Sequence, residues 1–214
     1  MRPVVYFVAT TLDGFIAQDD GSFDAFPWDD AYGAELFATF PETIPVHIRG
    51  ADHDRSENRC FDAVLMGRET YEVGLRVGIP SPYPTLDQYV FSTTMSAQPH
   101  EAVTLVRDRA TDVVRALKSE SGKGIWLCGG ARLASALLSD GLIDELILKV
   151  NPVVFGRGIP LFRQAVTPVR WTLSESRTFP SGHVRLHYVR RPVAVGKSPP
   201  QNEDSPHSRA LPEV

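Results

Sequence analysis

Two segments of this sequence join an apolar run to a glycine turn and then at once to a helical pattern. The first is Phe61-Asp62-Ala63-Val64-Leu65-Met66-Gly67-Arg68-Glu69-Thr70-Tyr71. Gly67 lets the backbone come close to an anion, and the start of a helix offers unpaired N–H donors. Arg68 adds a charged fork and Thr70 a hydroxyl. The second is Gly124-Ile125-Trp126-Leu127-Cys128-Gly129-Gly130-Ala131-Arg132-Leu133. Gly129 and Gly130 at a strand end leave a crevice where a pyrophosphate can sit over the helix that Ala131, Arg132 and Leu133 open. The spacing is not G-x-G-x-x-G, so a standard doubly wound dinucleotide domain is not indicated. A third segment, Thr10-Thr11-Leu12-Asp13-Gly14-Phe15-Ile16-Ala17, is an Asp-Gly turn followed by an apolar flap able to cover a flat ring such as nicotinamide. A fourth, Tyr89-Val90-Phe91-Ser92-Thr93-Thr94, ends a strand in three hydroxyls that could meet an adenosine ribose or its phosphate. Each segment taken alone also reads as a plain turn or strand end.

The elements that must position them follow from the apolar pattern. Compact β-rich runs at 4–9, 63–66, 88–92, 103–106 and 125–128 suit strands buried on both faces of an α/β sheet. Helical periods occupy 111–118, with Thr111 as its N-cap, and 131–138, stopped near Gly141. A further helix lies around 31–40. Strands at 145–154, 170–178 and 184–189 then follow without an obvious helix, the last two joined through Pro180-Ser181-Gly182. Residues 41–60 are polar, contain two prolines and lack periodicity, so they read as a long loop excursion. The folded domain spans 1–190. Residues 191–214, rich in Pro, Ser and charge, cannot bury enough surface to offset their ordering entropy and read as a disordered tail.

Composition narrows the classes. The 214 residues are 43% hydrophobic and 22% charged, with a net charge of -4, which suits one globular domain with a sizeable core. No basic block is present to neutralise nucleic-acid phosphates. Cys60 and Cys128 fit neither a zinc spacing nor a disulfide framework, so no metal is expected and a cytoplasmic location is. No apolar stretch approaches the roughly 20 residues of a membrane helix.

In order and spacing, these segments resemble the dihydrofolate reductase superfamily. The nearest branch is the single-domain proteins similar to the C-terminal reductase domain of the bifunctional riboflavin-biosynthesis deaminase-reductase. The resemblance runs through A-T-T-L-D-G-F-I-A, V-L-M-G-R-E-T-Y-E, Y-V-F-S-T-T and I-W-L-C-G-G-A-R-L-A, and on through G-L-I-D-E-L-I-L-K-V-N-P-V-V-F-G-R-G-I-P-L-F. It implies a three-layer αβα fold with a mixed, mostly parallel sheet closed by antiparallel C-terminal strands. It further implies an oxidoreductase that uses NADPH, or NADH, to transfer hydride to a small pterin- or pyrimidine-like heterocycle. Reduction of 5-amino-6-(5-phosphoribosylamino)uracil or dihydrofolate is one alternative, and a non-catalytic nucleotide-binding or interaction module is another. On this resemblance Ala9, Ile16 and Ala17 line the nicotinamide, and Gly67, Arg68 and Thr70 bind phosphates. Ser92 and Thr93 lie by the adenosine, and Gly129, Gly130, Ala131, Arg132 and Leu133 hold the pyrophosphate. A homodimer is expected.

Three departures matter. Thr93 stands where many relatives carry an Arg for the 2′-phosphate, leaving Arg68 or Arg107 to compensate. Cys128 stands where the riboflavin reductases carry a substrate-binding Glu. The zinc deaminase motif is absent. For the substrate side, the candidates are Cys128, Trp28 as a pocket wall, Phe155 as a cap and Asp13, which also reads as a turn residue. For the catalytic proton, Glu35 on the first helix is the candidate, with Asp30 nearby.

Overall fold

The computed structural model describes residues 1–49, 57–163 and 167–190. An eight-stranded sheet runs through it. The elements in chain order are β1 (Val4–Thr10), β2 (Phe15–Ala17), α1 (Asp30–Thr39), a 3-10 turn (Pro41–Thr43), α2 (Val46–Arg49), β3 (Phe61–Gly67), α3 (Arg68–Arg76), β4 (Asp87–Phe91), β5 (Val103–Val106), α4 (Ala110–Ser119), β6 (Gly124–Gly129), α5 (Ala131–Ser139), β7 (Glu145–Val150), β8 (Ile159–Pro160), β9 (Trp171–Thr178) and β10 (Val184–Arg190). Spatially the sheet runs β5-β4-β3-β6-β1-β7-β10-β9. The six strands from β5 to β7 are parallel, and β10 turns back antiparallel between β7 and β9.

This is the three-layer, mostly parallel α/β fold with an antiparallel close that the sequence predicts. Strand residues facing one way (Val4, Tyr6, Leu65, Ile125, Leu127) pack under α4 and α5 through Val114, Leu117, Leu133 and Leu137. Those facing the other way (Val5, Phe7, Val64, Met66, Trp126) pack with Leu36 of α1, Phe40 and Tyr71 of α3. Burial on both faces explains the unbroken apolar runs of the inner strands. β9 is the opposite case: an edge strand, exposed at every residue after Trp171.

Four local expectations are corrected. Thr111 is not the cap of α4; the helix begins at Ala110, and its N-cap is Arg109 at φ 52. β7 ends at Val150 rather than at 154, because Asn151 turns its side-chain amide onto the carbonyls of Thr10 and Lys149 and Pro152 brings no N–H. The flap at 15–17 is a strand, β2, paired antiparallel with β8. The excursion after Phe40 contains a 3-10 turn and α2, so it is not a plain loop; residues 50–56 within it lie outside the described residues, as does the predicted tail at 191–214.

The hairpin between β9 and β10 closes on a buried histidine. Phe179 donates its N–H to the His183 carbonyl, and Gly182 at φ 86 makes the turn. The Nδ1 of His183 lies 2.7 Å from Ser181 Oγ and its Nε2 lies 3.2 Å from the Pro27 carbonyl. Burial pushes the imidazole below its ordinary 6.5 and nearby Lys149 adds to this, against the opposing pull of Pro27 and Asp29. The unfolded chain therefore binds this proton first as pH falls, and the stability held above about pH 6.5 is lost below it. Between about pH 7 and about pH 5 the melting temperature should fall more steeply for the wild type than for His183→Gln. Parallel slopes in the two proteins would exclude His183 as the source.

Candidate functional site

β3 and β6 are adjacent and parallel, so the junctions after them open side by side at one edge of the sheet. Gly67 caps α3 and Gly130 caps α5, neither with a side-chain hydrogen bond. The two glycines touch. A Cβ added to Gly67 would lie 3.3 Å from Gly130 Cα, and one added to Gly130 would lie 3.2 Å from Gly67 Cα. Gly130 also holds φ 104, a conformation that favours glycine. Beside them, a Cβ on Gly129 would come within 3.0 Å of Thr70 Oγ1. Two helix N-termini with uncapped N–H groups thus meet across a seam with no room for a side chain.

A groove follows this seam in two lobes. The first, about 580 Å³, is lined by Val8, Ile16, Ala17, Thr70 and Cys128, with Gly129, Gly130 and Ala131 at its base. The second, about 420 Å³, continues past Gly130 and Ala131 to Gly67, Arg68, Ser92, Thr93, Arg132 and Leu133. The groove thereby brings together every residue expected to hold the cofactor except Ala9. Alternation along β1 turns Ala9 to the face opposite Val8.

The lobes differ in charge. The first carries Asp19, Asp20, Glu69 and Glu72 against Arg76 and Arg163. The second carries Arg68, Arg107, Arg109, Arg132 and Arg163 against Glu69 and Asp108. Arg68 reaches Glu72 at 3.3 Å but stays 43% exposed, so it can change partner at little cost. Arg107 donates to the carbonyls of Met95 and Ser96, and Ser92 Oγ accepts from Met95 N at 3.0 Å, which fixes the loop after β4. The arginines beyond 68, 107 and 132, and the acidic wall, were not singled out from the sequence. They lie in loops and along α3, and only the strand order brings them to one edge.

The remaining candidates are placed differently. Cys128 lines the first lobe; burial pushes its thiol up to about 12, with Tyr83 Oη 3.9 Å away, so it presents a neutral wall. Asp13 is fully engaged, accepting from Thr11 Oγ1 at 2.5 Å, Phe155 N at 3.2 Å and Gly156 N at 2.7 Å. The Thr11 bond foremost holds its carboxyl below the ordinary value, and the residue ties β1 to the loop before β8. Phe155 stacks on Phe26 and borders a separate hollow with Val154 and Arg157. Trp28 is 66% exposed, donates to Asp30 and does not line the groove. Glu35, on the buried side of α1, is ion-paired with Arg177 at 2.9 Å and Arg185 at 3.1 Å and lines neither lobe. Among the described residues no cluster of His, Cys, Asp and Glu could hold a metal, and no helix is long and apolar enough to cross a membrane.

A sheet of this order with a groove at its switch edge defines a dihydrofolate-reductase-like domain. Residues 2–184 match the RibD C-terminal domain, and the chain belongs to that family. Its relatives in Bacillus subtilis (strain 168) include the uncharacterized protein YwjB, 34% identical over 190 residues, which cover 88% of this chain and 98% of YwjB. The uncharacterized protein YyaP of the same organism is 30% identical over 198 residues, covering 87% and 94%. Among solved structures, a riboflavin biosynthesis protein from Shewanella sp. PV-4 superposes with a TM-score of 0.66 at 25% identity, over 90% of this chain and all of that one. The Thermotoga maritima deaminase/5-amino-6-(5-phosphoribosylamino)uracil reductase superposes at 0.60 and 16% identity, over 89% of this chain and 57% of that one, and shows the fold.

Proposed function

We propose that the protein is an NADPH-dependent reductase of a small pterin- or pyrimidine-like heterocycle. The observation that carries the reading is the contact of Gly67 with Gly130, which sets two uncapped helix N-termini against one groove. Such a seam fits a pyrophosphate: the N–H groups opening α3 and α5 would donate to its oxygens, and the helix dipoles favour its charge. Arg68 and Arg132 would add charge from either side. Five arginines line the second lobe and would suit a 2′-phosphate despite Thr93, with Arg107, Arg109 and Arg163 available in place of the cation missing there. Val8, Ile16, Ala17 and the neutral Cys128 thiol would wall the nicotinamide and keep water from it. When bound, the cofactor supplies the hydride; the protein binds, orients and dries the site.

The test is thermal denaturation with NADPH and with NADH. A ligand that binds only the folded state raises its stability by about 2.7 kcal/mol at one hundred times Kd. NADPH should raise the melting temperature by roughly 5–10 °C at that excess, and NADH by less at equal concentration. No shift with either would remove the reading. Stabilisation with no NADPH oxidation across pterin and pyrimidine acceptors would favour a non-catalytic nucleotide-binding module instead.

A further inference from the structure

We propose that Arg163 holds the cofactor's pyrophosphate as a third donor beside the two helix starts. The assignment rests on the reductase reading above.

The boundary between the lobes sets the position. Gly130 and Ala131 line both lobes, so the seam falls where the lobes meet. Arg163 lines both lobes as well, and among the described residues it is the only arginine that does. Arg68, Arg107, Arg109 and Arg132 border the second lobe alone. A cation at the boundary suits the pyrophosphate. A reader of the 2′-phosphate belongs within the second lobe, with Ser92 and Thr93, which leaves Arg107 and Arg109 for that task.

The backbone of Arg163 is fixed while its side chain is uncommitted. β8 joins the segment to the flap through the pairing of Ile159 with Ala17. Leu161 donates its N–H to the Gly14 carbonyl at 2.9 Å, and its own carbonyl accepts from the Tyr6 hydroxyl at 3.1 Å. Arg163 N donates to Ser135 Oγ at 3.0 Å. That buried hydroxyl donates in turn to the carbonyl of Ala131, the first residue of α5, at 2.8 Å. Arg163 is thus tied to the helix start it would work beside.

The guanidinium has no hydrogen bond or ion pair among the described residues. Its neighbours along the groove differ. Arg68 pairs with Glu72, Arg109 with Asp112 at 2.9 Å, and Arg107 donates to two carbonyls. A phosphate therefore meets Arg163 with its fork of N–H groups unspent, and no internal bond has to break. The backbone ordering that binding would otherwise cost is already in place. Ile159, on the same segment, also lines both lobes, so holding the phosphate would steady the apolar wall that faces the nicotinamide.

Without cofactor, Arg163→Gln should melt like the wild type, because its side chain gives up no bond. By isothermal titration it should bind NADPH about 10–100-fold more weakly, the loss of charge-assisted bonds to phosphate. Arg163→Lys should recover part of this, a point charge replacing a fork. The ³¹P spectrum of bound NADPH separates the 2′-phosphate from the pyrophosphate. Arg163→Gln should shift the pyrophosphate signals and leave the 2′-phosphate signal in place. In a cycle with Gly67→Ala the two losses of affinity should be less than additive, because both act on one pyrophosphate. Wild-type affinity in Arg163→Gln overturns the assignment, and so does a shifted 2′-phosphate signal or a fully additive cycle. If NADPH does not bind the wild type, the reductase reading falls and Arg163 with it.

Discussion

Gly67→Ala is expected to fold with nearly wild-type stability and to bind NADPH about 10–100-fold more weakly, while Gly130→Ala loses both stability and affinity. The difference lies in the backbone. Gly67 has φ -70, which alanine adopts freely, so the new methyl is tight against the Gly130 Cα at 3.3 Å and in ordinary contact with the Gly129 carbonyl at 3.6 Å. A few tenths of an ångström of separation relieves that contact. The same separation spreads the two helix starts and misaims N–H groups that would converge on one pyrophosphate. One lost charge-assisted hydrogen bond costs about 1.5–3 kcal/mol, hence the range. At Gly130 the contact is as close, but φ 104 adds backbone strain of about 1–3 kcal/mol. Its melting temperature should drop by roughly 3–10 °C. Isothermal titration of NADPH with the three proteins separates the cases. Wild-type affinity in Gly67→Ala would mean the seam does not hold the cofactor.

The seam also shows what sequence can carry. Each half is local: an apolar strand, a glycine, a helix start. Those signals lie within ten residues and were legible, as were the inner strands, whose two-sided burial leaves unbroken apolar runs. The contact between Gly67 and Gly130 is not local. It exists because β3 and β6 are neighbours in a sheet whose order differs from chain order. The same is true of Arg163, which looks like any loop arginine until β8 and Ser135 set it at the boundary of both lobes. Glu35 illustrates the converse. A carboxylate on an early helix satisfied the chemical type, yet β9 and β10 bring Arg177 and Arg185 to it from 142 and 150 positions away in sequence. The two-residue strand β8 gave no periodic signal at all, and β2 was seen only as a flap.

Glu42→Ala should show the reverse pattern to Gly67→Ala, a large loss of stability with cofactor affinity retained. Glu42 reads in the sequence as one more polar residue of a loop. In the fold it is 1% exposed, and its carboxylate accepts backbone N–H bonds from Arg59 at 3.2 Å, Cys60 at 2.6 Å and Phe61 at 2.7 Å. These are the last residues before β3 and the first within it, so one side chain ties the turn after α1 to the entry of a central strand. No salt bridge to Glu42 is present among the described residues; three oriented N–H dipoles balance its charge instead. Removing the carboxylate leaves the Phe61 N–H buried without a partner and the Cys60 N–H half-buried. Charge-assisted bonds and an orphaned donor together put the cost at about 3–5 kcal/mol. For a chain of this size that is a fall of roughly 6–20 °C in melting temperature. Glu42→Gln should recover only part of it, because a neutral amide oxygen is a weaker acceptor than a carboxylate and the amide NH₂ cannot accept. Phe61 and Gly67 stand at opposite ends of β3, about 20 Å apart at strand rise, so the seam that would hold the cofactor lies beyond the damage. Excess NADPH should therefore raise the melting temperature of Glu42→Ala by about as much as it raises that of the wild type. A variant that melts like the wild type would show that the carboxylate does not anchor β3. One that melts low and no longer responds to NADPH would show that the anchor and the seam are coupled through the strand.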